Sequence, residues 1–220
     1  MQTHHDSQTT DRPALILNGW LLAALLILAG LWLGPLPAMS RTAFSAHMLL
    51  HLGVVALVAP LLAVGLVRMG LQLGHNMRSW MILAFVMEML VVWGWHAPAL
   101  HEAAARNVGA FVLQQLSFML AGLGVWCVAL AAQRRSDQIT AMLGFALTLM
   151  HMTMLGVLLL MAPQLIYPAD LCLGAFGFAQ LEDQRFGGVL MAAWGGLVYL
   201  LGGLLLGCRL LREWPAHDQH

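Results

Sequence analysis

Apolar residues run through the chain in blocks of about twenty, separated by short polar stretches. A bilayer core of roughly 30 Å needs about 20 apolar residues of helix. Six segments meet that requirement: 14–34, 44–67, 79–97, 110–131, 139–162 and 186–208. The pattern predicts an all-α, polytopic membrane bundle of six transmembrane helices spanning 14–208, flanked by a polar N-terminal tail (1–13) and a C-terminal tail (209–220). The first apolar run is longer than the h-region of a signal peptide, about 7–15 residues, and only Arg12 supplies basic charge before it. It is expected to remain as a span. The third, "SWMILAFVMEMLVVWGWHA", is apolar except for Glu88 near its middle.

Composition agrees: 60% of the 220 residues are hydrophobic and 9% are charged, too few charges to clothe a soluble domain. Net charge is zero with histidine neutral, so nothing points to nucleic acid. All ten basic residues are arginines. In a six-span reading Arg12, Arg68, Arg78, Arg134, Arg135, Arg209 and Arg212 fall on one side, and Arg41, Arg106 and Arg185 on the other. The positive-inside rule then places both termini in the cytoplasm. The outer side collects Glu102, Asp170, Glu182 and Asp183, and its longest connection, 163–186, is long enough to fold over the helix ends as a lid. No internal repeat or second domain is evident. Cys127, Cys172 and Cys208 have no CxxC-type spacing and establish no disulfide framework.

Depth is the next constraint, because polar groups in hydrocarbon are costly and mark functional interiors. His47 and His51 lie one and two turns below the outer surface, on one helix face and about 6 Å apart along the axis. His96 ends the third span at the same level, where Pro98 stops the helix. His101 follows in the outer loop. His151 and Glu88 sit near the middle of the fifth and third spans. His75, on the inner loop with Arg78, reads as solvated, and His4, His5, His217 and His220 belong to the polar tails.

Two imidazoles at i and i+4 can face one ion, and zinc and copper both accept neutral imidazole. His47 and His51 are the primary candidate metal ligands, with His96 and His151 as further ligands. His151, Met154, Leu158 and Met161 follow helical spacing, and a thioether beside imidazole favours monovalent copper over zinc. Glu88 is placed to orient the His151 ring. The bland alternative is histidine as interhelical glue, each bond contributing about 1 kcal/mol. Heme is a rival cofactor, but its two axial ligands approach from opposite sides, so the His47/His51 pair cannot both serve one iron. A copper transporter is a third possibility. No nucleophile–base pair, phosphate loop or paired carboxylate appears, which argues against a hydrolase or transferase.

"HMLLHLGVVALVAPLLAVG", "WGWHAPALHEAA", "LMHMTMLGVLLLMAPQLIYP" and "DQRFGGVLMAAWGG" occur in this order. Together they resemble the polytopic, bacillus-type CtaG cytochrome c oxidase assembly proteins, over residues 40–205. That resemblance implies a multi-pass factor of the bacterial inner membrane that matures a heme–copper oxidase by handling copper for its copper centre. The partners it implies are an oxidase subunit and a periplasmic copper donor. Carried over, the HxxxH pair is His47 and His51, the WHxP histidine is His96, the fifth-span histidine is His151, and the acidic member of the DQ motif is Asp183. The family often carries a histidine in the fourth span and a seventh helix; here Gln114 and Gln115 occupy that place and six spans are evident. Asp183 and Gln184 directly precede the predicted last helix, where a carboxylate caps exposed amides. Gly187 and Gly188 then permit close helix approach. Asp183, Glu88, Met154, Met161 and His101 are the additional or supporting candidates.

Overall fold

The computed structural model describes residues 11–73 and 76–212; the predicted tail histidines and His75 lie outside them. The described residues form α1 (Asp11–Leu33), α2 (Phe44–Arg68), α3 (Met77–His96), α4 (Pro98–Arg106), α5 (Val108–Leu130), α6 (Arg135–Met161) and α7 (Gln180–Arg212). A single turn, Leu36–Met39, and a 3-10 turn, Ala169–Leu171, complete the helical structure, and no strand occurs among the described residues. α2, α3, α5, α6 and α7 are long and apolar enough to cross a membrane. Among the described residues these are the five that qualify; the sixth expected span, 14–34, falls on α1.

The helix ends follow local chemistry. Ala97 is extended (φ −65°, ψ 134°) ahead of Pro98, so α3 stops at His96 and α4 begins at once. Asn107 caps α5, its side-chain oxygen accepting from the Ala110 amide at 3.0 Å. α2 and α7 each carry one π turn, Val54–Val58 and Met191–Gly195. In α2 the π turn ends two residues before Pro60, whose missing N–H removes an α-helical bond, and Ala59 between them donates to Val54. The last helix starts at Gln180 rather than 186, and the connection before it shortens to 162–179.

α6 packs along α7, α5 lies against α2, α3 and α4, and α1 lies against α2. The α6–α7 contact is backbone to backbone. A Cβ added at Gly156 would stand 2.6 Å from the Gly188 carbonyl oxygen, and one at Gly188 would stand 2.6 Å from that of Gly156. Gly187 meets the Phe44 ring in the same way. These small residues let the N-terminal part of α7 settle between α2 and α6, as the glycine pair suggested.

Gly156→Leu is expected to destabilise the bundle by about 1–3 kcal/mol or more through overpacking. Gly30→Ala, where an added Cβ meets nothing within 4 Å, is expected to stay within about 0.5 kcal/mol. Thermal unfolding in detergent, followed by helical circular dichroism, checks both; equal losses would contradict the backbone contact.

Candidate functional site

Four histidines converge at the lid end of the bundle. α2 contributes His47 and His51 on one face, α3 contributes its last residue, His96, and α4 contributes His101. Their ring centroids lie 4.8 Å apart for His47–His101, 5.4 Å for His51–His96, 5.5 Å for His47–His96 and 6.3 Å for His47–His51. None is more than 5% exposed. Phe118 of α5 closes one side, 4.0 Å from the His51 ring. His101 was a secondary candidate in sequence; the Pro98 turn folds it back over His47.

The hydrogen bonding of these rings is incomplete. His96 Nδ1 lies 2.6 Å from the Val92 carbonyl oxygen. A carbonyl only accepts, so Nδ1 carries the proton and Nε2 keeps its lone pair. This is the arrangement of a metal-binding histidine, oriented through its other nitrogen. His96 Nε2, His47 Nε2, His101 Nδ1 and both nitrogens of His51 are buried without a hydrogen-bond partner. Buried polar atoms are seldom left so. Burial, reinforced by His96, lowers the His101 pKa from 6.5 to about 3, so its imidazole is neutral and its lone pair is available to a cation. Among the described residues no three His, Cys, Asp or Glu side chains already stand as a metal-holding group. The rings are gathered but not closed around a point.

The connection 162–179 covers the cluster, as a lid was expected to do. Tyr167 stacks on Phe44 at 4.9 Å and approaches the His101 ring at 4.2 Å, while its hydroxyl donates to the His96 carbonyl at 3.0 Å. The lid is pinned at several points. Leu173 N donates to the Thr42 carbonyl at 2.8 Å, and Ile166 N donates to Gln184 Oε1 at 2.8 Å. Arg106 bridges Asp170 and Glu102, each at 2.8 Å. Cys172 is buried in the lid, and burial, with Asp183 and Asp170 adding, pushes its thiol up to about 11. It remains a thiol at neutral pH.

Asp183 acts in a way the sequence reading did not anticipate. It was expected to cap the last helix, but α7 has already begun at Gln180. Its buried carboxylate reaches across to α2 instead, whose own N-cap, Ala43, has no hydrogen-bonding side chain. Oδ2 accepts from Phe44 N at 2.7 Å and Ser45 N at 3.2 Å, and Oδ1 accepts from the Ser45 hydroxyl. A tertiary cap therefore fixes the helix start one turn before His47.

The structure does not bring His151 to the cluster. Its Nε2 lies 2.9 Å from Glu88 Oε2, which also accepts from Thr148 Oγ1 at 3.3 Å. Tyr199 of α7 faces the same carboxylate. Glu88 does orient His151, as anticipated, but the pair forms a separate polar centre. Among the described residues no ring contact joins His151 to the other four. Met154 (48% exposed) and Met161 (72%) face away from the bundle; Met152, Leu155 and Leu159 take the buried face of α6. Neither Met154 nor Met161 lies among the buried residues of α6. Gln114 and Gln115 are buried on α5, with Gln115 Nε2 donating to Gln114 Oε1 at 3.3 Å. Phe44, Phe118 and Tyr167 were not singled out from sequence. Their only signal was aromatic character near the histidine levels, which is common in any bundle.

The family model described as cytochrome c oxidase caa3 assembly factor (Caa3_CtaG) matches residues 17–213, and the chain belongs to that family. Comparison with curated proteins and with solved structures gives no match.

Two outcomes follow from this geometry. Asp183→Ala leaves the Phe44 and Ser45 amides buried and unpaired, at a cost of about 1–3 kcal/mol per group. Its melting temperature in detergent should fall well below that of wild type, and Asp183→Asn should fall less. For His101, the unfolded chain takes up a proton near its ordinary pKa of 6.5 while the folded chain resists until about 3. Its contribution to stability is therefore lost progressively as pH drops through that window. Melting temperatures from pH 7 to pH 4 should fall less steeply in His101→Gln; identical slopes would contradict a buried neutral ring.

Proposed function

We propose that this assembly factor holds a copper ion as cargo at His47, His51, His96 and His101 and passes it to the oxidase copper centre. The carrying observation is the set of buried imidazole nitrogens, on three helices, that have no hydrogen-bond partner. Neutral imidazole is a ready copper ligand. The rings are in contact with one another and with aromatic side chains, and among the described residues no ion pair joins them to a carboxylate. A bound ion would keep most of its charge in a poorly solvated pocket, and the cost of burying charge rises steeply with its magnitude. That favours Cu(I) over a divalent ion.

With α1 counted as the sixth span, seven arginines against three support a reading with both termini in the cytoplasm. The histidine cluster then opens toward the periplasm of a bacterial inner membrane, beneath the lid. A periplasmic donor would load it there, and an oxidase subunit in the same bilayer would receive the ion. Side-chain rotation would close the gathered imidazoles around it. No side chain here is assigned a bond-breaking role, so the protein is read as a carrier and not an enzyme. Heme fits less well, since rings in edge-to-face contact leave no slot for a macrocycle between axial ligands.

Metal analysis and an optical spectrum of the purified protein test this reading. Copper should co-purify with, or bind to, the wild type under reducing conditions. It should be reduced at least tenfold in His47→Ala/His51→Ala, with no heme absorption in either. Equal copper in the two preparations would remove the pair from the site, and a heme band lost in His96→Ala would replace copper by heme.

A further inference from the structure

The turn 173–178, at the end of the lid, holds one residue against its own backbone preference. Gly174, Phe176 and Gly177 all adopt positive φ, at 84°, 53° and 87°. Glycine takes such angles freely, and at Gly174 a Cβ would strike the Phe178 carbonyl oxygen. Phenylalanine does not, because its Cβ crowds the backbone in the left-handed region. A residue in a sparsely populated conformation persists only where its surroundings hold it there. Phe176 is 53% exposed, and Leu173 (60%) and Phe178 (39%) flank it in the same condition.

The surroundings of the turn say what meets these side chains. Phe178 stacks on Phe186 of α7 with ring centroids 4.8 Å apart. One turn further along α7, Val189 is exposed, followed by Leu197, on a helix long and apolar enough to span the bilayer. The apolar tip of the lid is thus continuous with the surface that α7 presents to lipid. Three side chains are also too few to build a stable protein interface, which needs about 1,000 Å² or more. Apolar and aromatic residues at the edge of a span sit readily at the headgroup–acyl boundary.

We propose that the turn 173–178 is a membrane-interface anchor, with Leu173, Phe176 and Phe178 inserted into the phospholipid leaflet at that end of the bundle. Lipid then completes the lid: hydrogen bonds and the Arg106 bridge secure one margin, and the bilayer secures the other. This does not depend on what the histidine cluster binds.

Nitroxide labels on the full chain in phospholipid nanodiscs test the assignment. Cys208→Ser removes the exposed thiol, while Cys127 and Cys172 are buried. Leu173→Cys and Phe176→Cys are labelled separately, so that each variant keeps the other apolar side chains and either can stand if one fails to fold. Leu197→Cys serves as the lipid-facing reference and Glu102→Cys as the aqueous one. The expected result is that labels at 173 and 176 collide with dissolved oxygen more often than with a water-soluble nickel chelate, as at 197. A ratio matching position 102 would overturn the proposal. So would shielding from both reagents, which would mean that a second copy or another protein covers the turn.

Discussion

A carboxylate sealed inside a membrane bundle must replace its lost hydration with hydrogen bonds, and Asp183 finds its donors at the start of α2. The Phe44 and Ser45 amides and the Ser45 hydroxyl all turn toward it. Helix N-termini carry unsatisfied donors and partial positive charge, so a carboxylate placed there satisfies both partners. The bond set joins the two ends of the sequence pattern, since α7 caps the helix that carries His47 and His51. Gly187 lies against the Phe44 ring and Gly188 against the backbone of α6. One short stretch of α7 thereby sets both the height and the start of the histidine-bearing helix.

The bundle contains two polar centres of different electrostatic character. At the lid end, four imidazoles meet one another within a wall of Phe44, Phe118 and Tyr167, and several of their nitrogens have no partner. Deeper, Glu88 meets His151, Thr148 and Tyr199 from two other helices. The deeper centre contains a carboxylate with one oxygen bonded by Thr148 and His151, while Glu88 Oε1 and His151 Nδ1 have no hydrogen-bond partner among the described residues, and it links α3 to α6 with Tyr199 of α7 beside it. The upper centre gathers imidazoles from three helices and, among the described residues, has no hydrogen bond to a carboxylate; it is the centre to which the copper proposal assigns the ion. Its cover is part protein and, if the exposed turn of the lid sits in lipid, part bilayer.

Much of this was legible in the sequence, and the remainder was not for identifiable reasons. The membrane class, the approximate spans, the lid and the halt of α3 before Pro98 are local properties, fixed by run length and proline sterics. The shared face of His47 and His51 is likewise local, since an i, i+4 pair is set by helix geometry alone. Membership in the oxidase assembly family was also readable from four motifs in order. The entry of His101 and the separation of His151 were not. Nor was the reach of Asp183 to a helix 138 residues away, because a capping carboxylate looks the same whichever helix it caps.

The residues themselves determined how deep each polar group lies, because depth follows from counting along an apolar run at 1.5 Å per residue. Only the tertiary structure decided how each helix is turned about its axis. In a soluble protein the polar face of a helix reveals that rotation. In this bundle the side facing lipid is as apolar as the side facing the core, so Met154 and Met152 look equivalent in sequence and one faces outward while the other is fully buried. The rotations are set by glycine contacts, the Asp183 cap and the Glu88–His151 bond, all of which join residues far apart in the chain.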